Sequence, residues 1–113
     1  MYTIYHNPRC TKSRQGVAHL EAKGVEFSVR EYLKEPMTES ELTEVIAQLG
    51  IKPVELLRKG EAIFKEEFKG KDLSDGEWIK AMIEHPKLME RPIIVHNNKA
   101  VVARPTERID ELD

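Results

Sequence analysis

The chain has one cysteine, Cys10, so no disulfide can close within it. A redox cycle at this thiol must take its second sulfur from another molecule. No apolar run approaches the length of a membrane span, and the first ten residues, MYTIYHNPRC, lack both a basic segment followed by an apolar stretch and a small-residue cleavage site. A cytoplasmic protein with no membrane association is expected. There is no basic excess: 18 Lys and Arg stand against 20 Asp and Glu, a formal net charge of -2, which argues against nonspecific nucleic-acid binding. Repeats and low-complexity tracts are absent too. The four histidines and Cys10 are scattered without the short ligand spacing of zinc motifs, so no metal is expected. What is present, 40% hydrophobic and 34% charged residues in a chain of 113, suits a single globular domain over residues 1–113.

Residues 2–5, YTIY, are aromatic and β-branched, and Asn7-Pro8 ends the run because Pro cannot donate to a ladder. Over 11–23, Val17, Ala18 and Leu20 recur at helical spacing and Gly24 supplies a stop. Residues 25–32, VEFSVREY, alternate Val25, Phe27 and Val29 with polar residues, which predicts a second strand. Strand, helix, strand makes a βαβ unit, whose strands are parallel with a right-handed crossover. Further on, Thr38 with Glu41 and Ser74 with Glu77 are capping boxes. The first opens a helix striped by Leu42, Val45, Ile46 and Leu49 and ended by Gly50; the second opens one striped by Trp78, Ile79, Met82 and Ile83 and stopped at His85-Pro86. Pro53 suits the first turn of a short helix over VELLRK, while residues 61–73 carry no clear signal.

Residues 93–103, IIVHNNKAVVA, are two β-branched runs joined by Asn97-Asn98, residues that tolerate the positive φ of a type I′ turn, so a hairpin is expected. A short helix beginning at Pro105 is expected to close the chain. If Asn97-Asn98 is the turn, counting outward sets Arg91 opposite Arg104, each followed by a proline. Like charges facing one another across strands repel unless an anion lies between them, and two guanidinium forks suit a tetrahedral oxyanion.

Cys10 stands where that first helix begins. Unpaired backbone N–H groups and the positive end of the helix dipole there favour thiolate over thiol, and the same end binds anions. Arg9, Lys12 and Arg14 surround the position and can add to that field. His6 can donate a hydrogen bond to the thiolate or to its anionic substrate. Ser13 occupies the second position of a possible C-x-x-C pair and brings no resolving sulfur.

HNPRCTKSR at 6–14, LLRK at 56–59, MERPIIV at 89–95 and ARP at 103–105 together resemble the glutaredoxin-coupled, ArsC-like arsenate reductase family. Closest in pattern are its short arsenate-reductase-like members: Thr-Lys-Ser-Arg follows Cys10 where the best-known enzymes have Gly-Thr-Ser-Arg, and the sequence stops at Asp113, short of their longer tails. The resemblance implies an α/β, thioredoxin-like fold, βαβ plus ββα, with a helical insertion, and a cis proline at Arg91-Pro92. It implies Cys10 as nucleophile, Arg58, Arg91 and Arg104 as oxyanion-binding arginines, and His6, Ser13, Arg14 and Pro92 in support. Glutathione is implied as co-substrate and glutaredoxin as partner, in a monomer with no bound cofactor that reduces arsenate to arsenite. Two other readings compete: a thiol-dependent regulator of the same fold that binds RNA polymerase, and a general thiol-disulfide oxidoreductase.

Overall fold

A computed structural model describes all of residues 1–113, in two compact units: Met1–Glu35 with Arg91–Asp113, and Pro36–Glu90. The first unit holds a four-stranded sheet built from β1 (Tyr2–Tyr5), β2 (Phe27–Arg30), β3 (Ile93–His96) and β4 (Lys99–Val102), in the order β2-β1-β3-β4. β1 runs parallel to β2 across the crossover helix α1 (Thr11–Lys23), and antiparallel to β3, which pairs antiparallel with β4. This βαβ followed by ββ and a terminal helix is the thioredoxin-like arrangement. The closing helix, Thr106–Leu112, is of the tighter 3₁₀ kind.

β1 is central and its alternate residues Tyr2 and Ile4 are buried, packing with Leu20 of α1, Ile94 and Val101 of the hairpin, and Ile109 and Leu112 of the terminal helix. Burying one such aliphatic side chain contributes about 1.5–3 kcal/mol, enough that these few residues fix α1 and the tail on the sheet. α1 ends at Gly24 with φ 72, the left-handed conformation that a side chain resists. The hairpin turns at Asn97 (φ 49) and Asn98 (φ 63), and His96 pairs with Lys99 as the sequence predicts. β2 is shorter than the alternation over 25–32 suggests. It is an edge strand whose sole partner, β1, offers four residues, so the ladder ends at Arg30, and Val29 is left 47% exposed.

The second unit is helical and lies where the family pattern places its insertion. α2 (Glu39–Leu49) and α3 (Asp75–Glu84) both begin with the expected capping boxes. Glu41 N–H donates to Thr38 Oγ1 at 3.1 Å and Thr38 N–H to Glu41 Oε1 at 3.0 Å. Such caps contribute about 0.5–2 kcal/mol each. Between them, Pro53–Leu56 forms a 3₁₀ turn and not a helix through Lys59. The backbone leaves the helix because residues 88–90 take its hydrogen bonds: Arg58 N–H donates to the Leu88 carbonyl at 2.7 Å and Glu90 N–H to that of Leu56 at 2.8 Å. The unassigned stretch contains a π-helical turn, Phe64–Phe68, whose two phenyl rings flank Trp78 at 6.3 and 5.9 Å. No helix of the protein is long and apolar enough to cross a membrane.

Candidate active site

Cys10 is the N-cap of α1, with extended backbone (φ -95, ψ 124), and is nearly buried. Asn7 shapes the approach: its carbonyl accepts from Cys10 N–H at 3.0 Å and its Oδ1 from Arg9 N–H at 3.0 Å. Burial pushes the Cys10 thiol pKa up. The Ser13 backbone N–H, the charge and hydrogen bonding of Arg91, and the Lys12 backbone N–H outweigh it and hold the thiol below its ordinary value. Both amides belong to the open first turn of α1, whose N–H groups have no partner within the helix.

Arg91 lies two residues before β3, and its peptide bond to Pro92 is cis. Its Nε and Nη1 are buried without a hydrogen-bond partner. Buried guanidinium N–H groups left unsatisfied are costly in a protein, and an anion at this point would satisfy them. Arg104 lies two residues beyond the end of β4. The pairing of Ile93 with Val102 is extended by Ala103 N–H to the Pro92 carbonyl at 2.9 Å, and beyond it the backbone turns, Arg104 N–H donating to the Val102 carbonyl at 2.8 Å. The two settings differ, with Arg91 half-buried and Arg104 exposed.

One expectation, the source of the positive charge near Cys10, needs correcting. The cation acting on Cys10 is Arg91, from the far end of the chain, where the sequence suggests Arg9, Lys12 and Arg14. Lys12 contributes its backbone N–H. Arg14 is turned to the loop, donating to the Pro8 carbonyl at 2.8 Å and to Thr11 Oγ1 at 3.1 Å. His6 commits Nδ1 to Ser13 Oγ at 2.6 Å, and burial holds its pKa below the usual histidine value, with Glu31 opposing and Arg14 adding to the shift. Ser13 is thus more than a missing cysteine: its Oγ also accepts from Asn7 N–H at 2.9 Å, tying the loop to the first turn of α1. Arg58 lies in the second unit, where it pairs with Glu61 at 3.1 Å and stands 4.0 Å from Glu90.

One residue of this region escapes the pattern reading. Gly16, in the middle of α1, faces Pro92: a Cβ there would meet Pro92 Cγ at 3.1 Å and Ile4 Cδ1 at 3.2 Å. The signal for it is that glycine inside a helix costs roughly 0.5–1 kcal/mol against alanine, which a sequence tolerates where another segment must come close.

The model of the ArsC family matches residues 5–112. The chain belongs to the ArsC family. An arsenate reductase of Haemophilus influenzae is 39% identical over 111 residues, covering 96% of this chain and 96% of that protein. The uncharacterized protein YfgD of Escherichia coli is 43% identical over 111 residues, covering 96% of this chain and 93% of its own. Among solved structures, an arsenate reductase from Vibrio cholerae superposes with a TM-score of 0.94 at 42% identity, covering 99% of this chain and 97% of that one. ArsC relatives therefore share both sequence and fold with this chain along essentially its whole length.

Proposed function

We propose that the protein reduces arsenate to arsenite, with glutathione and glutaredoxin supplying the electrons. One observation carries the reading: a thiol held below its ordinary pKa beside a guanidinium whose Nε and Nη1 are buried and unpartnered. Nucleophile and anion receptor meet at one helix end. The arsenate reductases of Haemophilus influenzae and Vibrio cholerae, similar over nearly their full lengths, supply the choice of arsenate over other tetrahedral oxyanions.

In this reading the Cys10 thiolate attacks arsenic, a sulfur–arsenic bond forms and an arsenate oxygen leaves as water after protonation. Arg91, joined in this reading by Arg104, stabilises the charge that builds on the remaining oxygens. Glutathione thiolate then attacks Cys10 sulfur. The sulfur–arsenic electron pair goes to arsenic, which leaves as arsenite, and the two sulfurs are left oxidised as a mixed disulfide. Glutaredoxin takes the glutathionyl group and restores the thiol. The exchange relies on outside sulfur because the chain has one cysteine. The resemblance assigns Arg58 to the same anion, and its replacement belongs in the same series.

Purified protein with glutathione and glutaredoxin is expected to release arsenite from arsenate, Cys10→Ser to release none, and Arg91→Ala to be slowed on the order of 100-fold or more. Turnover no faster than the protein-free mixture overturns the reading. Exchange with glutathionylated proteins that is indifferent to Arg91→Ala and Arg104→Ala would instead favour a general thiol exchanger.

A further inference from the structure

The sheet ends in β2 on one side and β4 on the other, and the chain treats the two edges differently. On β4 the outward carbonyl of Val102 is taken: it accepts from Arg104 N–H at 2.8 Å and from Arg108 Nη1 at 3.4 Å. β2 is bare. Glu26 and Arg30 turn their carbonyls inward, accepting from Tyr2 N–H at 3.1 Å and His6 N–H at 2.8 Å, so strand alternation directs the N–H and carbonyl groups of Phe27 and Val29 away from β1. No other segment of the chain bonds to them. A row of this kind is a template for another strand. The side chains point the same way, since Val29 is 47% exposed and Glu26 and Ser28 are exposed beside it.

We propose that this edge pairs with a second copy of the chain, β2 against β2, antiparallel about Ser28, to make one continuous sheet. The stretch EFSVR at 26–30 is its own complement when turned end to end. Centred on Ser28, Phe27 faces Val29 of the second copy and Glu26 faces Arg30 of the second copy, and two-fold symmetry forms the reverse pairs as well. Phe27 and Val29 carry the outward backbone groups, so each of their pairs exchanges both backbone hydrogen bonds. Their side chains share the sheet face of Ile4, and Phe27 of one copy covers Val29 of the other. Centring the pair on Phe27 or on Val29 would also match outward groups, but it separates Glu26 from Arg30. Charge therefore selects Ser28 as the centre. Edges are commonly blunted by charges of one sign, which repel a second copy; here the two signs stand at equal distances on either side of Ser28 and attract one. Within its own copy Arg30 Nε donates to the Glu35 carbonyl at 2.9 Å, and attraction to Glu26 across the pair needs only its charge. One short strand per copy covers less than the roughly 1,200 Å² of a stable interface, so the dimer is reversible, with a dissociation constant on the order of 100 µM. The monomer that the resemblance implies is then the dilute state.

Sedimentation equilibrium of the full-length protein, from about 10 µM to about 1 mM, is expected to show a reversible monomer–dimer equilibrium, and amide exchange at Phe27 and Val29 to slow as concentration rises. A single monomeric species up to about 1 mM overturns the proposal. So does a dimer that leaves exchange at Phe27 and Val29 unchanged, because it joins by another surface. Glu26→Lys alone and Arg30→Glu alone each set like charges face to face and are expected to associate on the order of 10-fold more weakly than wild type, or worse. Mixed one to one, the two variants face each other with opposite charges, and association close to that of the wild type is expected to return. A mixture no better than its components overturns the pairing about Ser28. Should Arg30→Glu fail to fold, Glu26→Lys and the wild-type amides decide. Arsenate turnover, present or absent, changes none of these outcomes, and a protein that stays monomeric leaves the thiol chemistry standing.

Discussion

Gly16 and Pro92 approach so closely that a Cβ on the glycine would stand 3.1 Å from Pro92 Cγ. This contact sets α1, and with it Cys10 at its N-terminus, against the segment that carries Arg91. Neither partner can give way easily, since proline's ring is rigid and Ile4, fully buried, closes the other side at 3.2 Å.

Gly16→Ala is therefore expected to lower stability despite alanine's better helix propensity. Overpacking of this kind costs about 1–3 kcal/mol, and Gly16→Val should cost more. Urea unfolding followed by circular dichroism measures it. A variant as stable as the wild type would show that α1 can shift without penalty.

The lowered thiol pKa predicts that Cys10 reacts with iodoacetamide at neutral pH faster than a free cysteine does once pH is controlled for. Arg91→Ala removes a charge and a hydrogen-bond donor and is expected to move the midpoint of the rate–pH curve upward, with the fold retained. Lys12→Ala keeps its backbone N–H and should leave that midpoint where it was. The curve for each variant separates the two contributions.

His6 gives a signed prediction for stability. Its folded-state pKa lies below the ordinary histidine value of 6.5, chiefly because of burial. Between that folded value and 6.5 the unfolded chain holds a proton the folded one does not, so stability rises with pH across the window. It is lost as pH falls through the same window. Denaturant titrations at stepped pH should show this slope in the wild type and a flatter one in His6→Gln. Parallel slopes in the two proteins would mean that another group titrates there.

The terminal helix is held mainly by apolar contact. Ile109 and Leu112 are buried in the first unit's core, and truncating either to alanine is expected to cost about 2–5 kcal/mol. Lys23 meets Asp110 at 2.9 Å and Asp113 at 2.8 Å, but both aspartates are about half exposed, so Lys23→Met should destabilise less than either truncation. Thermal melts of the three variants rank them, and a Lys23→Met loss equal to that of Leu112→Ala would reverse the order of the two forces.

By itself the sequence determined the local chemistry. Periods of 2 and 3.6, two capping boxes, Gly24 and Gly50 at helix ends and the Asn97-Asn98 turn each depend on neighbours a few residues away, and the structure repeats them. The hairpin register follows from the turn, so the pairs from His96–Lys99 out to Ile93–Val102 could be set by counting. Cys10 at a helix start was legible for the same reason. Tertiary structure decided which cation reaches the sulfur, because charges act through space and Arg91, far along the chain, is the cation that lowers the thiol's pKa. It also turned Arg14 to a carbonyl, His6 to Ser13 and the end of VELLRK to residues 88–90, since each polar group took the partner that packing brought within reach. Spacing along a sequence carries no such information: it fixes which neighbours share a helical turn or a strand face, while the distances between remote segments are set by how their apolar faces pack.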